Sequence, residues 1–268
     1  MNAPTSSTQL EPLVLRAQAD GIVRLTLNRP AQFNSLSEEM LAALSAELDA
    51  VAADASARVV VIAGSGKAFC AGHDLKQMKA SPQLDYYRQL FADCARLMLK
   101  IQRLPQPVIA RVHGIATAAG CQLVAMCDLA VAADVAKFAV SGINVGLFCA
   151  TPGVALSRNV TRKQAFEMLV TGDFIDAATA RDRGLVNRVV PLDQLDAEVE
   201  RLARAIVAKP QVAIAMGKGM FYKQLEMGIE AAYQLAGQTM ACNMVDEVAQ
   251  EGVDAFMNKR RPHWAPPA

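Results

Sequence analysis

The stretch Val108-Ile-Ala-Arg-Val112-His113-Gly114-Ile-Ala-Thr-Ala118-Ala119-Gly120-Cys121-Gln122-Leu123 carries the reading of this chain. Val108–Val112 is a mostly apolar run of the kind that makes a strand buried on both faces, and His113-Gly114 ends it. Small residues follow, and these let backbone approach a ligand or a neighbouring chain closely. Gly120–Cys127 then reads as a helix, so its first-turn N–H groups and positive dipole end face an incoming oxygen. An earlier stretch repeats the arrangement. Val59-Val60-Val61-Ile62-Ala63 is a second buried strand, and Lys67-Ala-Phe-Cys70-Ala71-Gly72-His73-Asp74-Leu75 follows it. Two such N–H donors aimed at one point make an oxyanion hole, and losing one donor typically costs about 2.7–4 kcal/mol.

Outward from these turns, strands alternate with helices. Leu13–Leu15 and Ile22–Leu27 flank Asp20-Gly21, a two-residue hairpin signal. Ser35-Leu-Ser-Glu38 reads as a capping box ahead of a helix with Met40, Leu41, Leu44, Leu48 and Val51 on one side. Tyr86–Ile101 has helical spacing and stops before Pro105 and Pro107, and Leu129–Ala132 and the neighbourhood of Phe138 read as strands. The alternation predicts βαβ units and a mainly parallel sheet. After Val190-Pro191 strand signals vanish, and Leu195 onward is helical apart from Pro210 and the Pro-rich tail. The chain is therefore divided into a core over 1–195 and a helical region over 196–268. Met216, Met220, Tyr233, Met240 and Met244 stand at one-face spacing and read as core or subunit interface, not as a cofactor box.

Composition excludes several classes. Of 268 residues 53% are hydrophobic and 20% charged, which rules out wholesale disorder. Lys+Arg 27 against Asp+Glu 26 leaves +1, so no basic field exists to gather a nucleic acid. The six cysteines (Cys70, Cys94, Cys121, Cys127, Cys149, Cys242) include no CxxC pair and read as buried free thiols of a reducing compartment. Met1–Pro12 lacks both a secretory pattern and an Arg-rich transit pattern, so a cytoplasmic location is expected. Phe138–Ser157 is uncharged, but Gly142, Asn144, Gly146, Thr151, Pro152 and Gly153 break it. It reads as irregular buried backbone at a site, and no membrane association is expected. GxGxxG, Walker and GxSxG patterns are all missing, and His73, His113 and His263 have no metal-ligand spacing, so no metal is expected.

In their order along the chain, the two turns resemble the crotonase (enoyl-CoA hydratase/isomerase) superfamily. The resemblance extends over Leu27-Asn28-Arg29-Pro30 with Asn34, Ala71-Gly72-His73-Asp74, and Cys121 to Asp128. It continues through Thr171-Gly172-Asp-Phe-Ile-Asp-Ala, Gly184-Leu185-Val186 with Val190-Pro191, and Gln250-Glu251-Gly252 to Phe256 with Lys259-Arg260. It implies an α/β fold, a spiral of ββα units with a C-terminal helical trimerisation region, assembled as a homotrimer or dimer of trimers. It also implies an acyl-CoA thioester substrate, coenzyme A being part of the substrate, with no separate cofactor. Carried over position by position, the oxyanion donors are the N–H groups of His73 and Ala119. Ala71, His73, Asp74, Leu75, Lys76, Ala119 and Gly120 match the substrate-binding stretches, and Phe256 and Lys259 match the pair that reaches the adenine and phosphate of CoA.

The resemblance breaks at the chemistry. Hydratases of the family use two glutamates, and acid–base help of this kind is worth about 10²–10⁴ in rate. The matching positions hold Gln122 and Gly142, and the position eight residues further on, an aspartate in some relatives, holds Ala150. The expectation is an acyl-CoA-binding enzyme of the family that stabilises a thioester enolate or oxyanion, with weak or absent hydration. The alternatives are a non-catalytic acyl-CoA binder or a thioesterase or decarboxylase of the family. Ser141, Asn144, Cys149 and Thr151 are the remaining polar groups near Gly142. His73 is the surviving acid–base candidate because its titration lies near pH 7. Its side chain is expected to point outward, leaving the work to its backbone. His113 reads as a hydrogen-bonded structural residue and Cys149 as an inert thiol.

Overall fold

The computed structural model describes residues 11–265, so the reading of Met1–Pro12 falls almost wholly outside it. The chain opens with a hairpin, β1 (Val14–Ala19) and β2 (Ile22–Leu27), in antiparallel register. Asp20 and Gly21 both take positive φ, 51° and 79°, as a twisted two-residue turn requires. Helix α1 (Glu38–Ala52) follows, and its buried residues are the expected Met40, Leu41, Leu44, Leu48 and Val51. Its cap is Ser37 and not Ser35: the Ser37 hydroxyl accepts from the Met40 amide at 3.2 Å, leaving Glu38 as the first helical residue. The expected capping box is thus displaced by two residues. Ser35 instead lies inside the Arg29–Ser35 loop, whose centre is Asn34. That side chain is fully buried at 0% exposure. It accepts from the Arg29 amide at 2.9 Å and donates to the Ser65 and Ala68 carbonyls at 2.8 Å each.

Three ββα turns then wind the core. The first is β3 (Val59–Gly64), β4 (Ala68–Cys70), α2 (Leu75–Ala80) and α3 (Leu84–Arg103). The second is β5 (Val108–Val112), β6 (Ile115–Thr117) and α4 (Ala119–Met126). The third is β7 (Leu129–Ala133), β8 (Lys137–Ala139), α5 (Ala150–Leu156) and α6 (Arg162–Thr171). A short return follows through β9 (Ile175–Asp176), α7 (Ala177–Asp182) and β10 (Arg188–Val190). The members of each pair go to different sheets. One sheet runs β1-β2-β3-β5-β7-β10 and the other β4-β6-β8-β9. From β2 to β10 the larger sheet is parallel throughout. This alternation between sheets is what places each β-to-α turn beside the preceding one.

The C-terminal part is four helices: α8 (Leu195–Val207), α9 (Gln211–Gln224), α10 (Ile229–Met244) and α11 (Glu247–Met257). Helix α8 begins at Leu195 and packs on the sheet. Leu195, Val199 and Ala203 form one core with Ile22, Val59, Val61, Ile109 and Val131. The opposite sheet face packs on α1, α3 and α4 in the main core. Strands covered on both faces have no polar side to show, which explains the unbroken run Val59–Ala63. Helix α9 is fastened by Lys218, whose ammonium donates to the Ile101 and Gln106 carbonyls at 3.0 Å and to Asp128 at 2.6 Å. Asp128 also accepts from Tyr222 and the Val108 amide, so every charge in this buried cluster is paired. Beyond that anchor α10 and α11 bury little. Ile229, Tyr233, Met240, Val245 and Phe256 are exposed in the single chain. No helix of the described residues is long and apolar enough to cross a membrane.

Candidate active site

The turn after β4 and the turn after β6 meet at Gly72. Its φ is +89°, and a Cβ added there would lie 2.8 Å from the Ala118 Cβ and 3.2 Å from the Ala119 nitrogen. Gly120 has the same role from the other side, since a Cβ there would overlap the Cys70 carbonyl oxygen. Only glycine allows backbone to come this close. Leu36 pairs with this turn as a parallel bridge, donating to the Gly72 carbonyl at 2.7 Å and accepting from the Asp74 amide at 3.4 Å. Successive amides of an extended chain alternate in direction, so the His73 N–H faces away from Leu36. On the second turn, the Ala118 amide is used by the Ala139 carbonyl and the Ala118 carbonyl accepts from Gln122. The Ala119 N–H is first in α4 and has no helical partner. Neither the His73 nor the Ala119 N–H meets an acceptor among the described residues.

The backbone is strained where the second turn enters its helix. Ala118 sits at φ 50° and ψ −121°, a conformation L-residues rarely adopt and one that costs on the order of 1–3 kcal/mol. The strain therefore falls one residue before the N–H donor, and Ala119 itself is helical.

A cavity of about 290 Å³ opens beside these amides. It is mostly apolar. Met78 and Phe91 from α2 and α3, and Val145, Leu147, Phe148 and Pro152 from the segment after β8, supply its bulk. No carboxylate lines it. Gln122 is 5% exposed, its Oε1 has no partner, and it does not reach the lining. Gly142 does line the cavity, but a Cβ there would lie 2.6 Å from the Leu147 carbonyl oxygen and 2.7 Å from Cys149 Sγ. The space a side chain would leave by is occupied. The loop is closed by the Leu147 amide donating to the Gly142 carbonyl at 3.0 Å. Ser141 and Thr117 hydroxyls pair at 2.7 Å at the rim. The 138–157 segment is a 3-10 turn over 141–145 followed by α5; it is irregular as its glycines suggest, but the expected burial is not met, since 144–148 are exposed in the single chain, Val145 to 66%.

The structure changes the expectation for His73. Its ring lines the cavity instead of pointing outward, and packs edge-on to Phe91 with centroids 5.5 Å apart. Both ring nitrogens are shut off from solvent and lack a partner within hydrogen-bonding geometry. Leaving a buried polar group unpaired costs about 1–3 kcal/mol. Burial holds the imidazole pKa below its ordinary value, with the Leu36 main chain partly opposing, so the ring is neutral at pH 7. His113 is held by Gly66, Nε2 to carbonyl oxygen at 2.9 Å, and stays outside the cavity lining. The Cys149 thiol lines the cavity, and burial pushes its pKa up. Cys242 is the exposed exception among the cysteines, all of which are free.

The remaining candidate positions separate. Ala71 and Leu75 line the cavity with His73 and Ala119, whereas Lys76 is an exposed residue of α2. The Asp74 carboxylate is committed elsewhere: it caps α2 through the Lys76 and Gln77 amides and pairs with Arg29 at 3.2 Å. Phe256 is 85% exposed, and neither it nor Lys259 lines this cavity within one chain. Of the basic tail, Arg260 is consumed by Glu251 and Asp254. Sequence reasoning missed Met78 and Phe91. Phe91 lies next to Leu90 of the Tyr86–Ile101 stripe, and a one-residue step round a helix is enough to move a side chain from core to cavity wall.

Two sheets wound from ββα turns, with a cavity where the turns of consecutive strand pairs meet, define the class of protein. The chain belongs to the enoyl-CoA hydratase/isomerase family, whose model matches residues 17–267. It is 46% identical to the Xenopus laevis "Enoyl-CoA hydratase domain-containing protein 3, mitochondrial" over 97% of this chain and 88% of that protein. The crystal structure of an enoyl-CoA hydratase of Mycobacterium smegmatis superposes with a TM-score of 0.94 at 66% identity, covering 95% of this chain and 99% of that one. The human enoyl Coenzyme A hydratase domain-containing protein 3 structure gives 0.92 at 44% identity, covering 94% and 100%. The cytoplasmic expectation is corrected by these relatives: the frog, rat, mouse and human proteins are all named as mitochondrial.

Proposed function

We propose that the protein is an acyl-CoA enzyme that seats the thioester carbonyl oxygen between the N–H groups of His73 and Ala119 and stabilises the oxyanion or enolate formed there. The observation that carries this reading is the pair of unpartnered amides brought together by Gly72 beside an apolar cavity. The cavity takes the acyl chain, and Ala71, Leu75 and Gly120 shape its approach. Lys76, and Phe256 with Lys259 from a neighbouring subunit, are assigned to the nucleotide end of CoA, Asp74 holding the α2 turn in place. The apolar residues left bare on α10 and α11 support assembly as a homotrimer or a dimer of trimers. Hydration by paired carboxylates is not part of the proposal, because Gln122 and Gly142 occupy both positions.

The second reading is a binder that returns its thioester unchanged, favoured by a cavity without a carboxylate. Titration with a series of acyl-CoAs, followed by mass analysis, separates the two: one consumed thioester supports the enzyme, and none supports the binder. Ala119→Pro removes one amide at the first helical position, where no helical hydrogen bond is lost, although Ala118 before it stands outside the backbone region that a following proline favours. It is expected to lower turnover by about 10²–10³ with native circular dichroism, as loss of an oxyanion donor does. An unaltered rate in a folded Ala119→Pro protein refutes the carbonyl seat.

A further inference from the structure

We infer that the acyl group taken here is an uncharged aliphatic chain longer than the cavity, its far end lying along an apolar rim made by Leu75, Val145, Leu147 and Phe148. The chain is placed from the carbonyl seat proposed above and rests on that reading, to which the rim adds the kind of acyl group attached to the carbonyl.

The four rim side chains line the cavity and are also exposed, from 42% for Leu147 to 66% for Val145. Single apolar side chains on a surface are ordinary, but several around one opening mark a surface that something covers. None of the four belongs to either hydrophobic core. Two separate elements bring them together. Leu75 is the first residue of α2, two past His73, and α2 buries none of its own residues. Val145, Leu147 and Phe148 follow β8 around Gly146, where an added Cβ would meet nothing within 4 Å. Packing within the chain therefore does not account for apolar side chains on either side of the opening. An apolar chain held by its carbonyl at the His73 and Ala119 amides, at the same cavity, does.

Capacity decides the length. The cavity holds about 290 Å³. At about 30 Å³ for a small group, the share of one water in the liquid, that is room for roughly ten groups of methylene size. The carbonyl and sulfur of the thioester use part of it, so a chain beyond about eight carbons has to leave by the opening. The walls are held against widening. Phe91 packs against the His73 ring, centroids 5.5 Å apart, and against the Tyr87 ring at 6.4 Å, and the Leu147 carbonyl and Cys149 close on Gly142. The rest of the chain then meets the rim, where each methylene withdrawn from water raises affinity by up to about fourfold. Charge is selected against inside: no Lys, Arg, Asp or Glu lines the cavity, so a carboxylate on a chain short enough to stay within it would lose water and gain no cation.

Calorimetry on the full chain with CoA and with butyryl-, octanoyl- and dodecanoyl-CoA, kept below micelle-forming concentrations, tests the rim. Affinity is expected to rise from butyryl to octanoyl, and by a further factor of about ten or more from octanoyl to dodecanoyl. Adipoyl-CoA, which is hexanoyl-CoA with a carboxylate at the far end, should bind about tenfold or more weakly than hexanoyl-CoA. Val145→Ser with Leu147→Ser keeps the backbone of the turn and is expected to cut the dodecanoyl-to-butyryl affinity ratio by about tenfold, with native circular dichroism. A dodecanoyl affinity no higher than the octanoyl one overturns the inference, as does an adipoyl affinity equal to the hexanoyl one, or a ratio that the double substitution leaves intact. A changed oligomeric state in light scattering with the ratio intact gives the rim to a neighbouring copy and overturns it as well. If thioesters bind better than CoA but length makes no difference, the rim falls and the carbonyl seat stands. If no thioester binds better than CoA, both fall.

Discussion

Gly72→Ala tests whether the meeting of the two turns is a physical constraint on the fold. The substitution adds one methyl group, with two separable consequences. The first is conformational: at φ +89° an L-residue pays the left-handed penalty, on the order of 1–2 kcal/mol. The second is steric, because the new Cβ would stand 2.8 Å from the Ala118 Cβ, 3.1 Å from the Thr117 oxygen and 3.2 Å from the Ala119 nitrogen. Two of these are backbone atoms of a turn already strained at Ala118, so relief requires the turns to part. Overpacking of this kind costs about 1–3 kcal/mol. Gly146 supplies the control. Its φ is +81°, and an added Cβ would meet nothing within 4 Å. Gly146→Ala therefore carries the conformational cost alone, and Gly72→Ala both. Urea unfolding of the two variants is expected to place Gly72→Ala lower by about 1–3 kcal/mol, the steric part. Acyl-CoA affinity should fall in Gly72→Ala and survive in Gly146→Ala. Equal destabilisation of the two variants refutes the reasoning, since it would mean that the turns are not in contact.

Restoring both carboxylates as Gln122→Glu with Gly142→Glu is expected to bring no hydration of crotonyl-CoA, followed by ultraviolet absorbance, because the Leu147 carbonyl blocks the way out at position 142. A clear gain of hydration would show that the loop yields. Lys218→Met should cost roughly 3–5 kcal/mol in denaturant titrations, since it leaves Asp128 buried without its cation; a loss below about 1 kcal/mol, the worth of an exposed pair, would contradict the buried anchor. Asp196 bridges Arg111 and Arg24, whose hydrogen bonds hold its carboxyl pKa down to about 2. A depressed carboxyl stabilises the fold above its unfolded pKa of about 3.9, and that contribution drains away on acidification toward about 2. The stability gap between parent and Asp196→Asn should therefore narrow as pH falls from 5 to about 2, and a gap constant over that range would exclude the linkage.

Much of the architecture was legible because it rests on local chemistry. Asp20-Gly21 can make a hairpin turn by itself, and the β3 and β5 runs announce burial on both faces. The cap of α1 was misplaced because Ser35 and Ser37 are both good caps in isolation. What decides between them is tertiary: Asn34 is tied to Ser65 and Ala68, and Leu36 is bridged to the Gly72–Asp74 turn, which keeps Leu36 and Ser37 extended. The close approach of the two turns was legible for the same reason as the hairpin: glycine at 72 and 120 records a demand for it. Side-chain roles were not. Nothing in the string of residues tells whether His73 points to solvent or to Phe91, because that depends on the packing of α3 against the turn. Asp74 was assigned toward the ligand from its place in a motif, but its carboxylate is engaged by α2 and Arg29.

Amides and carboxylates at such a site answer to different constraints. The amide geometry is set by main-chain crossings: Gly72 against Ala118, Gly120 against Cys70, Leu36 against His73. Each crossing also carries part of the core, so the donors cannot move without unpacking the strands that lead to them. A carboxylate on the cavity wall supports nothing beyond its own reaction. At position 142 the Leu147 carbonyl and Cys149 stand where a side chain would begin, and at position 122 a buried amide has one unpaired oxygen. The place of the two proposed donors is thereby tied to the packing of the fold, whereas a side chain on the cavity wall is not.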